Sequence, residues 1–251
     1  MTDDLADSIT LIARAAGGAI MKYYHPNIVI ENKADDSPVT VADREANDLI
    51  VRALTRLTPN IPIVAEESVT TEQYAESPSE FWLVDPLDGT KEFIKRNGDF
   101  TVNIALIQRG KPVIGVVHPP AQGTAYIGVN RERALFEDQC GQRREIKVRS
   151  VNLDHPIIVV SRSHRSAATD EYLSHFKSYE EIPRGSSLKL CAVATGEADL
   201  YPRLGRTMEW DIAAGHAVLI AAGGRIKTID GQELCYGKPG LVHPHFIASG
   251  C

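Results

Sequence analysis

Residues 81–94 read FWLVDPLDGTKEFI, and the two acids in that stretch are costly where they stand. Phe81, Trp82, Leu83 and Val84 form a strand-like apolar run that delivers Asp85 and Asp88, either side of Pro86 and Leu87, straight into Gly89 and Thr90. Two anions so close together at the mouth of a buried strand repel each other, and burial disfavours each charge. Something has to offset them. A hard cation such as Mg²⁺ takes oxygen ligands, typically carboxylates with waters and substrate phosphate, and converts the repulsion into coordination. The plainer alternative is an ordinary turn at Asp88-Gly89, with Asp85 capping a neighbouring group.

Further acids bear on the choice. Glu66 and Glu67 close the strand-like run IPIVA just as Asp85 closes FWLV, so adjacent strands would bring these carboxylates to one sheet end. Glu67 is left outside the ligand set. Asp211, in MEWDIAAGHA, stands at the start of an apolar helix, where an acid is electrostatically favoured; read alone it is a helix N-cap. Gly89 and Thr90 open the polar segment KEFIKRNG, which reads as a short helix. Glycine at 89 lets backbone N–H groups approach a phosphate, and a helix start favours the anion. Carboxylates, a cation and anion-binding amides in one place amount to metal-assisted phosphate chemistry. No G-x-x-x-x-G-K-[ST] loop is present, so an NTPase of that class is not supported.

Outward from this core, Leu5, Ile9, Ile12, Ala16 and Ile20 recur at helical spacing. Thr40 followed by Asp43 announces a second helix with Ala46, Leu49, Ile50, Ala53 and Leu57 on one side. The runs IPIVA, FWLVDP, TVNIALI, PVIGVV and TAYIGV predict a mixed or antiparallel sheet backed by those helices, with a hairpin turn at Arg109–Lys111. From about residue 155 strands and helices alternate. The organisation expected is therefore an N-terminal α+β half, 1–140, carrying the metal site, and a C-terminal α/β half, 141–251, carrying Asp211.

Composition narrows the function classes. With 251 residues, 43% hydrophobic and 24% charged, the chain can bury a large core. A net charge of −6 argues against a nucleic-acid polymer or an anionic membrane surface as the main partner, because either needs a concentrated basic face. The acidic start MTDDLADSIT lacks the features of a secretory signal, and no apolar run reaches membrane-spanning length, so the expected location is the cytoplasm. A peripheral place on the inner membrane face and a homodimer are left open. Cys140, Cys191, Cys235 and Cys251 lack zinc-site spacing and read as free thiols.

The chain resembles the inositol monophosphatase superfamily of Mg²⁺-dependent, lithium-sensitive phosphomonoesterases, through Asp85-Pro86-Leu87-Asp88-Gly89-Thr90 and Trp210-Asp211-Ile212-Ala213-Ala214-Gly215, with an upstream EES. Within it, DSPVTVAD, SRSH, GSSLK, ADLYPR and TMEWDIAAGHAVLIAAGG resemble the 3′(2′),5′-bisphosphate nucleotidases of the CysQ type. The resemblance implies a layered αβαβα sandwich, two or three Mg²⁺ ions per site, and removal of the 3′-phosphate of adenosine 3′,5′-bisphosphate, a by-product of sulfate activation, to give AMP. It implies Glu66, Asp85, Asp88, Asp211 and the Leu87 carbonyl as metal ligands, and Thr90 with Asp43 as the pair that orients and deprotonates the attacking water, which Glu66 also holds through the metal. His164, Ser186, Lys189 and Arg203 match positions around the nucleotide, the last two facing its second phosphate. Inositol monophosphatases carry an acid near Arg203, so the arginine favours a second phosphate over sugar hydroxyls. An inositol or sugar-phosphate phosphatase, or a non-catalytic binder on the same scaffold, are the other readings.

Overall fold

The computed structural model describes residues 2–26, 30–32, 38–69, 78–163 and 165–251. Helix α1 (Thr2–Met21) buries Ala6, Ile9, Ala13, Ala16 and Ile20 along one stripe. Strands β1 (Ile30–Asn32) and β2 (Pro38–Thr40) pair antiparallel and lead into α2 (Val41–Leu57). Thr40 is the N-cap: its Oγ1 accepts from Ala42 N at 3.2 Å, while Asp43 Oδ2 accepts from Thr40 N at 2.8 Å. The expected helix start is thus the observed one. Its buried face runs through Ala42, Ala46, Ile50 and Leu54, whereas Leu57, expected on that face, is 38% exposed because the stripe has rotated away from it by the last turn.

A seven-stranded sheet follows in chain order: β3 (Ile63–Ala65), β4 (Glu80–Asp88), β5 (Thr101–Gln108), β6 (Lys111–His118), β7 (Ala125–Val129), β8 (Arg133–Glu137) and β9 (Arg143–Glu145). Only the β3–β4 pair is parallel, so the sheet is mixed. The short helix α3 (Thr90–Lys95) connects β4 to β5. Both faces of β4 are covered, which is why it reads as an unbroken apolar run: Trp82 and Val84 pack with α1 and α2, Phe81 and Leu83 on the opposite side.

The remainder comprises β10 (Ile157–Ser161), α4 (Ala167–Leu173), β11 (Glu180–Arg184), α5 (Leu188–Ala194), β12 (Leu200–Arg203), β13 (Thr207–Met208), α6 (Glu209–Ala221), β14 (Arg225–Thr228), β15 (Val242–His243) and β16 (Phe246–Ser249). Five of these strands form a second sheet in the order β11-β10-β12-β16-β14, and β13 pairs with β15. Helices α5 and α6 lie between the two sheets, and α4 covers the far side of the smaller one around Leu173, Ile158 and Leu200. The layers are therefore α, β, α, β, α, the expected sandwich.

Buried on nearly every side, α6 rests directly on sheet backbone. A Cβ at Gly128 would fall 2.5 Å from the Ala217 carbonyl oxygen, and one at Gly115 2.4 Å from that of Ala214. These two glycines let helix and sheet approach backbone to backbone. Among the described residues no helix is long and apolar enough to cross a membrane.

Candidate active site

Parallel pairing of β3 with β4 matches Ala65 to Val84, and Glu66 N donates to Val84 O at 3.1 Å. Glu66 and Asp85 thus leave neighbouring strands at the same level. Pro86 has no N–H to give the ladder, and the β4–β5 register shifts between Asp85 and Asp88. Asp85 is 1% exposed; its Oδ1 accepts from Leu87 N at 3.0 Å, which holds the turn. Gly89 then adopts φ +89° as the N-cap of α3, a left-handed conformation that any side chain would strain.

That turn brings Thr90 to α2. Thr90 Oγ1 donates to Asp43 Oδ1 at 3.2 Å, while the Leu87 carbonyl lies at 3.4 Å. The buried Asp43 carboxylate is fixed from its other oxygen, since Oδ2 accepts from both the N–H and the hydroxyl of Thr40. A hydroxyl that gives its hydrogen to Asp43 keeps lone pairs for a proton from the cleft side.

Asp88 and Asp211 meet from opposite halves of the chain. Asp88 Oδ2 accepts from Ser186 Oγ at 2.6 Å and Asn103 Nδ2 at 3.4 Å; Ser187 Oγ lies 3.3 Å from the same oxygen and shares its one hydrogen between it and the nearer Asp211 carbonyl at 2.6 Å. Read as an N-cap from sequence, Asp211 is instead the third residue of α6. Its Oδ2 reaches back to Met208 N and to Thr207 Oγ1, each at 2.8 Å, so the cap position falls to Met208. Burial first, and the charge of Asp88 second, push the Asp211 carboxyl up to about 6.

A cleft of about 230 Å³ is lined by Glu66, Asp88, Thr90 and Asp211 together with Lys189 and Arg203. Gly89 lines it as well, and Asp85 and Leu87 lie buried behind. Lys189 is 7% exposed; its ammonium donates to the Ser186 carbonyl, sits 5.6 Å above the Tyr201 ring, and is drawn down to about 8, chiefly by burial. Arg203 donates to the Arg206 carbonyl at 2.7 Å. Ser186 faces Asp88 as much as the cleft, and His164 lies outside the described residues.

Among the described residues no three carboxylate, histidine or cysteine side chains converge on one point. The donors fit a hard cation all the same. They are oxygens throughout, and the repulsion that Asp88 exerts on Asp211 is one that a cation beside both carboxyls would offset. Sequence reasoning passed over Ser187, Thr207, Asn103 and Glu92. Ser187 adjoins Ser186, and Thr207 precedes Asp211 by one helical turn, but Asn103 comes to Asp88 only through the β4–β5 pairing.

Residues 2–248 match the inositol monophosphatase family. The chain is 44% identical over 248 residues to the 3′(2′),5′-bisphosphate nucleotidase CysQ of Escherichia coli K12, covering 98% of this chain and 99% of that protein. It is 46% identical over 245 residues to CysQ of Salmonella typhimurium, covering 96% and 98%. Among solved structures, CysQ of Bacteroides thetaiotaomicron, described as a bacterial member of the inositol monophosphatase family, superposes with a TM-score of 0.86 at 37% identity, covering 98% of this chain and 97% of that one. A shared fold, a match running almost from end to end, and this likeness to CysQ proteins lead to one conclusion: the chain belongs to the inositol monophosphatase family.

Proposed function

We propose that the chain is a 3′(2′),5′-bisphosphate nucleotidase, a Mg²⁺-dependent cytoplasmic phosphomonoesterase that removes the 3′-phosphate of adenosine 3′,5′-bisphosphate to give AMP and phosphate. One observation carries the reading: a single cleft holds Glu66, Asp88, Thr90 and Asp211 together with the cations Lys189 and Arg203. The first group suits a phosphoryl centre, and the second suits another anionic group a short distance away. Full-length likeness to CysQ proteins supports the same substrate class.

Glu66, Asp85, Asp88, Asp211 and the Leu87 carbonyl would hold two or three Mg²⁺ ions. Bound there, such ions acidify water and offset phosphoryl charge. The chain's own residues manage the protons. Thr90, donating to Asp43 Oδ1, takes a proton from the attacking water as it passes its own to Asp43, so the nucleophile forms where the carboxylate is already aimed. Ser186 and Ser187 hold Asp88 in place during the step. Lys189 and Arg203 bind and orient the phosphate that is not cleaved, and the leaving 3′-oxygen takes its proton from solvent. An inositol phosphatase would need no second cation site, which is the ground for preferring the nucleotide.

The test compares kcat/KM for adenosine 3′,5′-bisphosphate with that for inositol 1-phosphate in Mg²⁺ buffer, for the natural protein and Arg203→Glu. The bisphosphate should be preferred. Reversal at Arg203 should cost it at least about tenfold while sparing the monophosphate, since a charge-assisted hydrogen bond is replaced by repulsion. A preference for inositol 1-phosphate would overturn the reading.

A further inference from the structure

Glu92 lines the same cleft, yet the chemistry above leaves it unused. It stands on α3 and is only 3% exposed. Among the described residues no donor is hydrogen-bonded to its carboxylate, and the Lys189 ammonium is a cation whose charge it feels. The side chain is nevertheless held in place. A Cβ at Gly185 would lie 2.8 Å from Glu92 Cγ, and one at Gly89 would lie 3.4 Å from Oε2, so two bare backbones leave just the room the side chain fills. The neighbouring Asp99 is already occupied, accepting from Gly185 N at 2.9 Å and Arg162 Nε at 3.0 Å.

A carboxylate that opens only onto the cleft, with no donor from the protein, accepts its hydrogen bonds from what enters the cleft, and it repels phosphate. The substrate group that meets it therefore carries an O–H or N–H. Oε2 sits against Gly89, the residue before Thr90, and the mechanism above sets the ester under attack beside Thr90, so the donor belongs to the part of the substrate next to that ester. On a ribonucleotide cleaved at the 3′ position, that neighbour is the 2′-hydroxyl. We propose that Glu92 accepts a hydrogen bond from the hydroxyl vicinal to the scissile phosphate ester and so selects ribonucleotides over 2′-deoxyribonucleotides. The proposal rests on the phosphatase reading above.

The experiment measures kcat/KM for adenosine 3′,5′-bisphosphate and for 2′-deoxyadenosine 3′,5′-bisphosphate, with Mg²⁺, for the natural protein, Glu92→Ala and Glu92→Gln. The natural protein should favour the ribose form by about tenfold or more, because a hydrogen bond to a charged partner is at stake. Glu92→Ala should bring the ratio toward one, mainly through the ribose substrate. Glu92→Gln still accepts a hydrogen bond, without the charge, and should keep part of the preference. A ratio near one in the natural protein overturns the proposal without recourse to any variant. So does an equal loss on both substrates in Glu92→Ala, which would make Glu92 a packing residue. If the Mg²⁺-loaded natural protein turns over neither nucleotide, the phosphatase reading falls and the proposal falls with it.

Discussion

Replacing Gly128 by alanine adds one methyl group where α6 lies on the large sheet. Its carbon would stand 2.5 Å from the Ala217 carbonyl oxygen and 2.6 Å from Val218 N, against ordinary contact distances that begin near 3.4 Å. Backbone cannot rotate aside as a flexible side chain can, so the helix must retreat by about 1 Å. Overpacking of this kind costs about 1–3 kcal/mol. For a chain of this length each kcal/mol lowers the melting temperature by about 2–4 °C, giving a fall of about 2–12 °C. Activity should suffer beyond the loss of stability. Asp211 lies in the first turn of the same helix, and a 1 Å misplacement of a reacting group can cost about a hundredfold. Thermal melts and kcat measured well below the melting temperature separate the two effects. Gly18→Ala is the control: nothing lies within 4 Å of its added carbon, and this exposed position in the last turn of α1 should gain up to about 0.5–1 kcal/mol. A Gly128→Ala protein that melts and turns over like the natural one would refute the backbone contact as the support of α6.

Thr90→Ala should lower kcat by about a hundredfold with a smaller change in KM, because the hydroxyl works on the water and not on ground-state binding; a change confined to KM would make Thr90 a binding residue. Lithium chloride should inhibit more than matched sodium chloride at fixed Mg²⁺, as the family resemblance implies, and equal sensitivity would count against lithium at a catalytic metal position. Burial lowers three histidines, His118 to about 4, His216 to about 3 and His243 to about 2, from an ordinary 6.5. Their folded values lie below the unfolded one, so the stability they contribute is complete above about pH 6.5 and is lost as pH falls, by about 1.4 kcal/mol per histidine per unit. Denaturant titrations should find the protein weaker by on the order of 5 kcal/mol at pH 5 than at pH 7; a flat profile would place these rings in contact with water.

Sequence periodicity was most informative where the physics is local. The segment around Asp85 and Asp88 carries its own cost, and Thr40 with Asp43 forms a cap within one helical turn. Matching strand ends placed Glu66 beside Asp85 because β3 and β4 are parallel and in register. Asp211, placed at a helix start and taken alone as an N-cap, stands three residues further in, because the residue ahead of α6 is Met208, which has none of the chemistry that usually marks a helix start. Strands β8 and β9 lie in a polar stretch, and β9 is exposed throughout, so no apolar alternation announces it. The setting of Glu92 depends on Gly185, brought in from the far half of the chain, and no spacing rule reaches that distance.

Asp43 and Asp211 occupy the same station, the third residue of a helix, and each spends one oxygen on closing that helix's first turn. The other oxygen of Asp43 faces Thr90, and Asp211 lines the cleft. Natural selection for a stable chain and selection for turnover therefore act on the same two carboxyl groups. A drifting sequence that lost either acid would lose a helix end along with its chemistry, and an inactive descendant that kept the fold would need a different helix-starting residue in each place.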